Sequence, residues 1–142
     1  MSKFISSPQL PLRVFNTWMG DPGKTLLLQA ILDVIKKENL LEQVNKSGKR
    51  LLDGMKDLEK EFCPLVHSSR GKGTFIAISA RSSEIRDDIV QRMYKKGIIT
   101  GGCGVDSLRL RPALVFQEHH ADIYLDTLRS VLRDIKQNTK NL

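Results

Sequence analysis

Aromatic side chains are scarce in this 142-residue sequence, at 6%, and Trp18 is the single tryptophan. Proteins that hold single-stranded nucleic acid stack bases on aromatic rings, so the shortage argues against that class. Cysteine is scarcer still: Cys63 and Cys103 are too few for a disulfide framework, and a reducing compartment suits them. No apolar run approaches the roughly 20 residues that a membrane-spanning helix needs. His119 and His120 are adjacent, so on a helix they diverge and cannot chelate one metal as an i, i+4 pair can. With the two cysteines isolated, neither a zinc site nor a nucleophile–histidine pair can be argued. The first sixteen residues lack acids and carry Lys3 and Arg13, as a transit peptide would. Pro8 and Pro11, however, would break the amphipathic helix such a signal needs.

What is present fits one globular domain, with 40% hydrophobic and 27% charged residues and enough chain to bury a core. The net charge of +7 could serve an anionic partner. Yet the lysines and arginines are scattered along expected helix surfaces beside acids such as Glu38, Glu59, Glu61 and Asp134. A solvated face accounts for them, as would an acidic remainder of a longer protein.

The periodicity divides the chain. Residues 1–11, with Ser6-Ser7-Pro8 and Pro11, form an expected flexible leader, and Leu12–Phe15 a short extended segment. Asp21 can cap a helix whose first residue is Pro22, where a missing N–H costs nothing. That helix aligns Leu27, Ile31, Val34 and Ile35. Asn39 weakens it, and a second helix follows with a stripe of Leu41, Val44, Gly48, Leu51, Met55, Leu58 and Phe62, ended by Cys63-Pro64. Gly48 inside that stripe suggests close approach by another element. The period then changes. Arg70–Gly73 is expected as a turn and Thr74–Ser79 as a strand. A helix capped by Ser82 or Ser83 carries Ile85, Ile89 and Met93 and stops at Gly97. Ile98–Thr100 is a short strand running into Gly101–Gly104, and Ser107–Arg111 another, closed by Pro112. A last helix runs from about Gln117 to Lys136 and buries Tyr124, Leu128, Val131, Leu132 and Ile135. The fold class is α+β: two long N-terminal helices, then a small, largely antiparallel sheet with helices on one face.

Two motifs imitate ligand loops. Gly20-Asp21-Pro22-Gly23-Lys24-Thr25 resembles the end of a phosphate-binding loop, but the required first glycine is Trp18. Asp21 would put negative charge in the cradle and Pro22 offers no N–H, so both strike at how such a loop works. Arg70-Gly71-Lys72-Gly73-Thr74-Phe75 brushes against an RNA-binding octamer, but Lys72 and Thr74 stand where stacking aromatics are needed. Arg109 and Arg111 are harder to set aside. Two apart on a strand, they point to one face beside a glycine-rich loop. A guanidinium matches a carboxylate with two parallel hydrogen bonds, so the pair suits a carboxylate substrate. An edge-strand or interface salt bridge accounts for them equally well.

Taken together, Phe15-Asn16-Thr17-Trp18 with Gly20-Asp21-Pro22, Arg70–Phe75, Gly101-Gly102-Cys103-Gly104 and Leu108–Phe116 resemble the C-terminal third of the class III (ω-amino acid) aminotransferases. Within that family they look like the 4-aminobutyrate type. Four separated motifs occur in the family's order, from about Arg13 to Ile135, and Arg111 favours that type over ornithine-type relatives. The resemblance implies pyridoxal 5'-phosphate as cofactor, 4-aminobutyrate and 2-oxoglutarate as substrates, a homodimer, and the mitochondrial matrix. It also implies that Thr17 hydrogen-bonds the cofactor phosphate in the other subunit's active site, with Asn16 and Trp18 positioning it. Arg109 would receive the α-carboxylate of 2-oxoglutarate or glutamate, while Arg111 inherits no role. Neither nucleic acid nor membrane is an implied partner.

The Schiff-base lysine of the family and the acid that pairs with its pyridinium nitrogen lie upstream of the Phe-Asn-Thr-Trp motif, and no lysine here matches. No catalytic residue is therefore assigned. The expected organisation is an unmatched leader over residues 1–12, a dimer- and cofactor-contacting segment with its helix over 13–38, and a C-terminal small domain over 39–142. The chain is expected to be a fragment, a short isoform or a mis-assigned gene product, inactive by itself. A competing expectation is a non-catalytic module that docks on full-length subunits.

Overall fold

The computed structural model describes residues 17–18 and 20–140, and the expected leader and extended segment lie outside them. The chain divides into two compact units between Glu38 and Asn39.

The first unit contains α1 (Pro22–Lys37). Its start follows the local rule: the Asp21 carboxylate accepts from the Lys24 N–H at 3.1 Å, and Pro22 occupies the first turn. Asp21 is thereby committed to capping. No residue of α1 is buried, and Leu26, Leu27, Leu28, Ile31 and Leu32 all face solvent.

The second unit begins at Asn39, whose left-handed backbone (φ 50°) separates α1 from α2 (Leu40–Glu61). That break resets the helical phase. Leu40 is buried and Leu41 is 61% exposed, so the apolar stripe starts one residue earlier than its spacing alone suggests. Gly48 lies in the stripe for the reason expected, since a Cβ there would strike the Gly73 backbone.

Four strands follow with interleaved helices: β1 (Val66–Lys72), β2 (Phe75–Ala80), α3 (Ser83–Lys95), β3 (Gly101–Cys103), β4 (Ser107–Leu110) and α4 (Glu118–Lys140). The sheet order is β1-β2-β4-β3, and every pairing is antiparallel. The α+β expectation holds, with two local corrections to the strands. Arg70–Lys72 belong to β1, and the turn is only Gly73–Thr74, with Gly73 at φ 55° as a tight hairpin favours. The short edge strand lies on Gly101–Cys103 rather than on Ile98–Thr100, because pairing with β4 outweighs the β-branched content of the preceding residues. Ser82, whose Oγ accepts from the Ile85 N–H at 3.4 Å, caps α3.

The register settles the faces. Ile76 pairs with Leu110 and Ile78 with Leu108, and these join Val66 and the buried stripes of α2, α3 and α4 in one core. Ala77 pairs with Arg109 and Ser79 with Ser107 on the opposite face.

Candidate functional site

On the face opposite the core, Arg70 reaches across from β1. Its guanidinium donates to Ser79 Oγ at 3.2 Å and Ser107 Oγ at 2.9 Å, and the two serine hydroxyls are 2.9 Å apart. This network closes over the middle of the sheet and leaves the β3–β4 end open. There, Arg109 stands between Ala77 on β2 and Gly101 on β3, two small residues that leave its side chain room.

Arg109 is half-buried and Arg111 exposed, one residue beyond the end of β4. Both line one hollow of about 410 Å³, with Thr100, Gly101, His120 and Tyr124 among its other walls. Among the described residues no carboxylate lines this hollow, and neither guanidinium has an ion-pair or hydrogen-bond partner. Other basic side chains on this surface do find acids. Lys46 pairs with Glu42, Arg50 with Asp122, Arg92 with Asp88, and Arg129 and Arg133 with Glu61. Neither guanidinium makes an ion pair within the described residues, which leaves both free for a carboxylate from outside them, whether of a ligand or of an interface.

Two residues of α4, His120 and Tyr124, line the hollow. Tyr124 is only 6% exposed, and its hydroxyl lies 3.2 Å from Thr100 Oγ1. Burial pushes the phenol's pKa up to about 12, opposed weakly by that hydrogen bond. The bond ties α4 to the residue immediately before Gly101, and so to the edge strand beside Arg109. His120 Nδ1 accepts from the Gln117 N–H at 3.0 Å, which puts the ring proton on Nε2. The His120 ring also stacks against His119 and Phe116.

Thr17 and Trp18 belong to the first unit. Both are exposed, at a turn in which the Gly20 N–H donates to the Trp18 carbonyl at 2.6 Å. The Thr17 hydroxyl has no hydrogen-bond partner among the described residues. Asn16 lies outside the described residues. Tyr124, Thr100 and His120 carry no sequence signal for a site, because α4 and the loop before β3 bring them together only in the folded chain.

An α+β unit with an open, acid-free arginine hollow at the end of its sheet matches a known group of proteins. Residues 5–132 match the family described as Aminotransferase class-III, and the chain belongs to that family. Among curated proteins it is 43% identical over 129 residues to the mitochondrial 4-aminobutyrate aminotransferase of Rattus norvegicus, and 41% identical over 129 residues to that of Homo sapiens. Each alignment takes in 91% of this chain and 26% of the relative, so the chain spans about a quarter of their length. Among solved structures, a lysine aminotransferase from M. tuberculosis superposes with a TM-score of 0.83 at 28% identity, over 89% of this chain and 29% of that one. An ornithine aminotransferase from Plasmodium yoelii superposes with a TM-score of 0.64 at 26% identity, over 72% and 27%. The resemblance carried by the four motifs is borne out. Among the described residues no helix is long and apolar enough to cross a membrane.

Proposed function

We propose that this chain supplies the carboxylate-recognising small domain of a 4-aminobutyrate:2-oxoglutarate aminotransferase. The observation that carries this reading is Arg109, half-buried and without an ion-pair partner in a hollow that no described carboxylate lines. Desolvated positive charge without a counter-ion is costly, and an incoming carboxylate offsets that cost with two charge-assisted hydrogen bonds. Arg109 binds the α-carboxylate of 2-oxoglutarate or glutamate. The complete reaction takes 4-aminobutyrate to succinate semialdehyde and returns the amino group to 2-oxoglutarate.

Pyridoxal phosphate, when bound, supplies the electron sink for amino-group transfer. The residues of this chain fit one part of it. The exposed Thr17 hydroxyl, without a partner among the described residues, suits a phosphate oxygen, and in the proposed homodimer it serves the cofactor of the other subunit. No lysine lines the Arg109 hollow, so the cofactor-anchoring lysine is assigned to a part of the family fold that this chain does not match. Residues 13–38 form the dimer- and cofactor-contacting segment in this reading, and residues 39–142 the small domain. The mammalian relatives are named mitochondrial, which supports a mitochondrial location for the whole protein, and this reading puts it in the matrix.

The test is direct. The purified chain, given pyridoxal phosphate, 4-aminobutyrate and 2-oxoglutarate, turns over neither substrate and retains no cofactor after borohydride reduction. Replacing the arginine aligned with Arg109 by Gln in a full-length relative raises the KM for 2-oxoglutarate by about 30-fold or more and leaves the 4-aminobutyrate half-reaction within about twofold. Turnover by the chain alone sinks the claim of inactivity, and an unchanged KM sinks the role of Arg109.

One observation favours a second reading, in which the chain docks on full-length subunits without catalysing anything. The apolar side chains of α1 are uncovered, as a surface awaiting a partner would be. Stoichiometric co-purification with a full-length 4-aminobutyrate aminotransferase subunit is its expected result, and failure to associate at high concentration counts against it.

A further inference from the structure

Arg111 has no role in the reading above, yet it shares the hollow with Arg109. It lies past the last residue of β4 and makes no backbone ladder contact there, and Pro112 follows it, fixing the direction of the chain. Its guanidinium has no ion-pair or hydrogen-bond partner among the described residues, so nothing there gives it a structural task. With no carboxylate on the described walls, the hollow carries two fixed positive charges. One monocarboxylate neutralises only one of them.

We infer that Arg111 is a specificity-determining residue, whose charge makes this hollow favour dianionic carboxylates over monoanionic ones of the same size. The inference rests on the reading that Arg109 holds a carboxylate. Arg109 is half-buried and flanked by small residues, so it has the geometry to grip one carboxylate in a fixed orientation. Arg111 is exposed and acts by field rather than by a fixed fork. Two unit charges about 8 Å apart, at an effective dielectric between about 20 and 80, change an equilibrium by about 2- to 30-fold. An exposed group sits toward the low end of that range, and salt weakens it further. This discrimination has a use in a two-substrate transfer, where one binding step must take a dicarboxylate and refuse a monocarboxylate that is also present.

The experiment uses the 142-residue chain itself and follows the Arg109 Nε–Hε signal by NMR at low ionic strength. The probes are glutarate and its monomethyl ester, which differ by one charge and hardly in shape. The chain is expected to bind glutarate about fivefold more tightly than the monoester, beyond the twofold statistical advantage of two equivalent carboxylates. Arg111→Gln brings that ratio to within about twofold of the statistical value and leaves the monoester affinity within about twofold. Arg111→Lys keeps most of the discrimination, because charge and not a planar fork is at work. Raising the salt to about 0.3 M erodes the advantage of the parent chain and has little effect on the ratio in Arg111→Gln. An unchanged ratio in Arg111→Gln, an equal loss for both probes, or no discrimination by the parent chain overturns the inference. Arg109→Gln separates it from the reading beneath it. If that variant binds both probes as tightly as the parent, the carboxylate role of Arg109 fails. If it loses both while Arg111→Gln keeps the ratio, only the role of Arg111 fails.

Discussion

The backbone of Gly73, in the turn between β1 and β2, lies where a Cβ on Gly48 of α2 would have to be. Two effects of opposite sign meet at this position. Alanine is the better helix former by about 1 kcal/mol, which would stabilise α2. Against this, the opposing group is main chain within a hydrogen-bonded hairpin and cannot rotate aside, and overpacking of this kind costs about 1–3 kcal/mol or more. The clash wins. Gly48→Ala is expected to destabilise the domain by about 1–3 kcal/mol in urea unfolding, and a stabilised variant would show that the hairpin yields more easily than its contacts imply.

Glu59 holds the irregular part of β1. The pairing with β2 shifts between His67 and Arg70, and Ser68 there has a left-handed backbone (φ 57°). A bulge leaves ladder donors unpaired. The Glu59 carboxylate takes both of them, from the Ser68 N–H at 2.8 Å and the Ser69 N–H at 2.9 Å. These bonds, the Ser69 backbone first, hold its pKa below the ordinary carboxylate value. A depressed carboxylate stabilises the fold above its unfolded pKa and loses that contribution as pH falls through the folded value. Glu59→Gln is therefore expected to cost about 1–2 kcal/mol at pH 7. The difference from the parent should shrink as pH falls below about 4, as read from urea unfolding at several pH values.

Tyr124 gives the opposite pH signature. Its phenol, raised to about 12, favours the neutral form in the folded state. That contribution is complete below the unfolded value of about 10 and disappears as pH rises through about 12. Tyr124→Phe should lose about 0.5–1.5 kcal/mol at neutral pH, because the Thr100 hydroxyl loses its partner, and should be less sensitive to alkali than the parent. Thermal unfolding at pH 7 and pH 11 measures both.

Gly101 stands directly opposite Arg109, and a Cβ built on it meets nothing within 4 Å. Gly101→Val should leave the melting temperature unchanged or slightly higher, since valine suits a strand better than glycine. Its side chain takes up the space beside the Arg109 guanidinium, and glutarate affinity should drop by about tenfold. A fall in melting temperature with intact binding would contradict this account of the open end of the sheet.

The parts of this structure that were legible in the sequence are those governed by neighbours along the chain. Asp21 could be assigned as a cap, and the second cap narrowed to Ser82 or Ser83, because a cap is a contact between residues three apart. Gly48 announced a close approach without naming the partner, since Gly73 is supplied by a hairpin elsewhere in the sequence. Ile98–Thr100 misled because β propensity describes a residue, while strand identity belongs to a pair, and β4 pairs with the glycines. Arg70 looked like part of a turn because its role lies in reaching two serines on other strands. Arg109 was visible from its alternation along β4, whereas Arg111 lies beyond the end of that strand, one residue past Leu110. Tyr124, Thr100 and His120 were not visible, because only the docking of α4 brings them to the same hollow.

The exposure of α1 has a consequence for how this chain fluctuates. Helices in proteins draw most of their stability from a buried face, and a 16-residue helix without one is close to marginal in water. The Asp21 cap, Pro22 and the leucine run supply only local support. With no buried residue of its own, α1 should exchange its amides with solvent through local unfolding at a small fraction of the global free energy. The interior of α2 and α4, held in the common core, should exchange only near the global limit. Whatever covers α1 would slow its exchange selectively, and so hydrogen exchange along these sixteen residues serves as a reporter of an occupied surface.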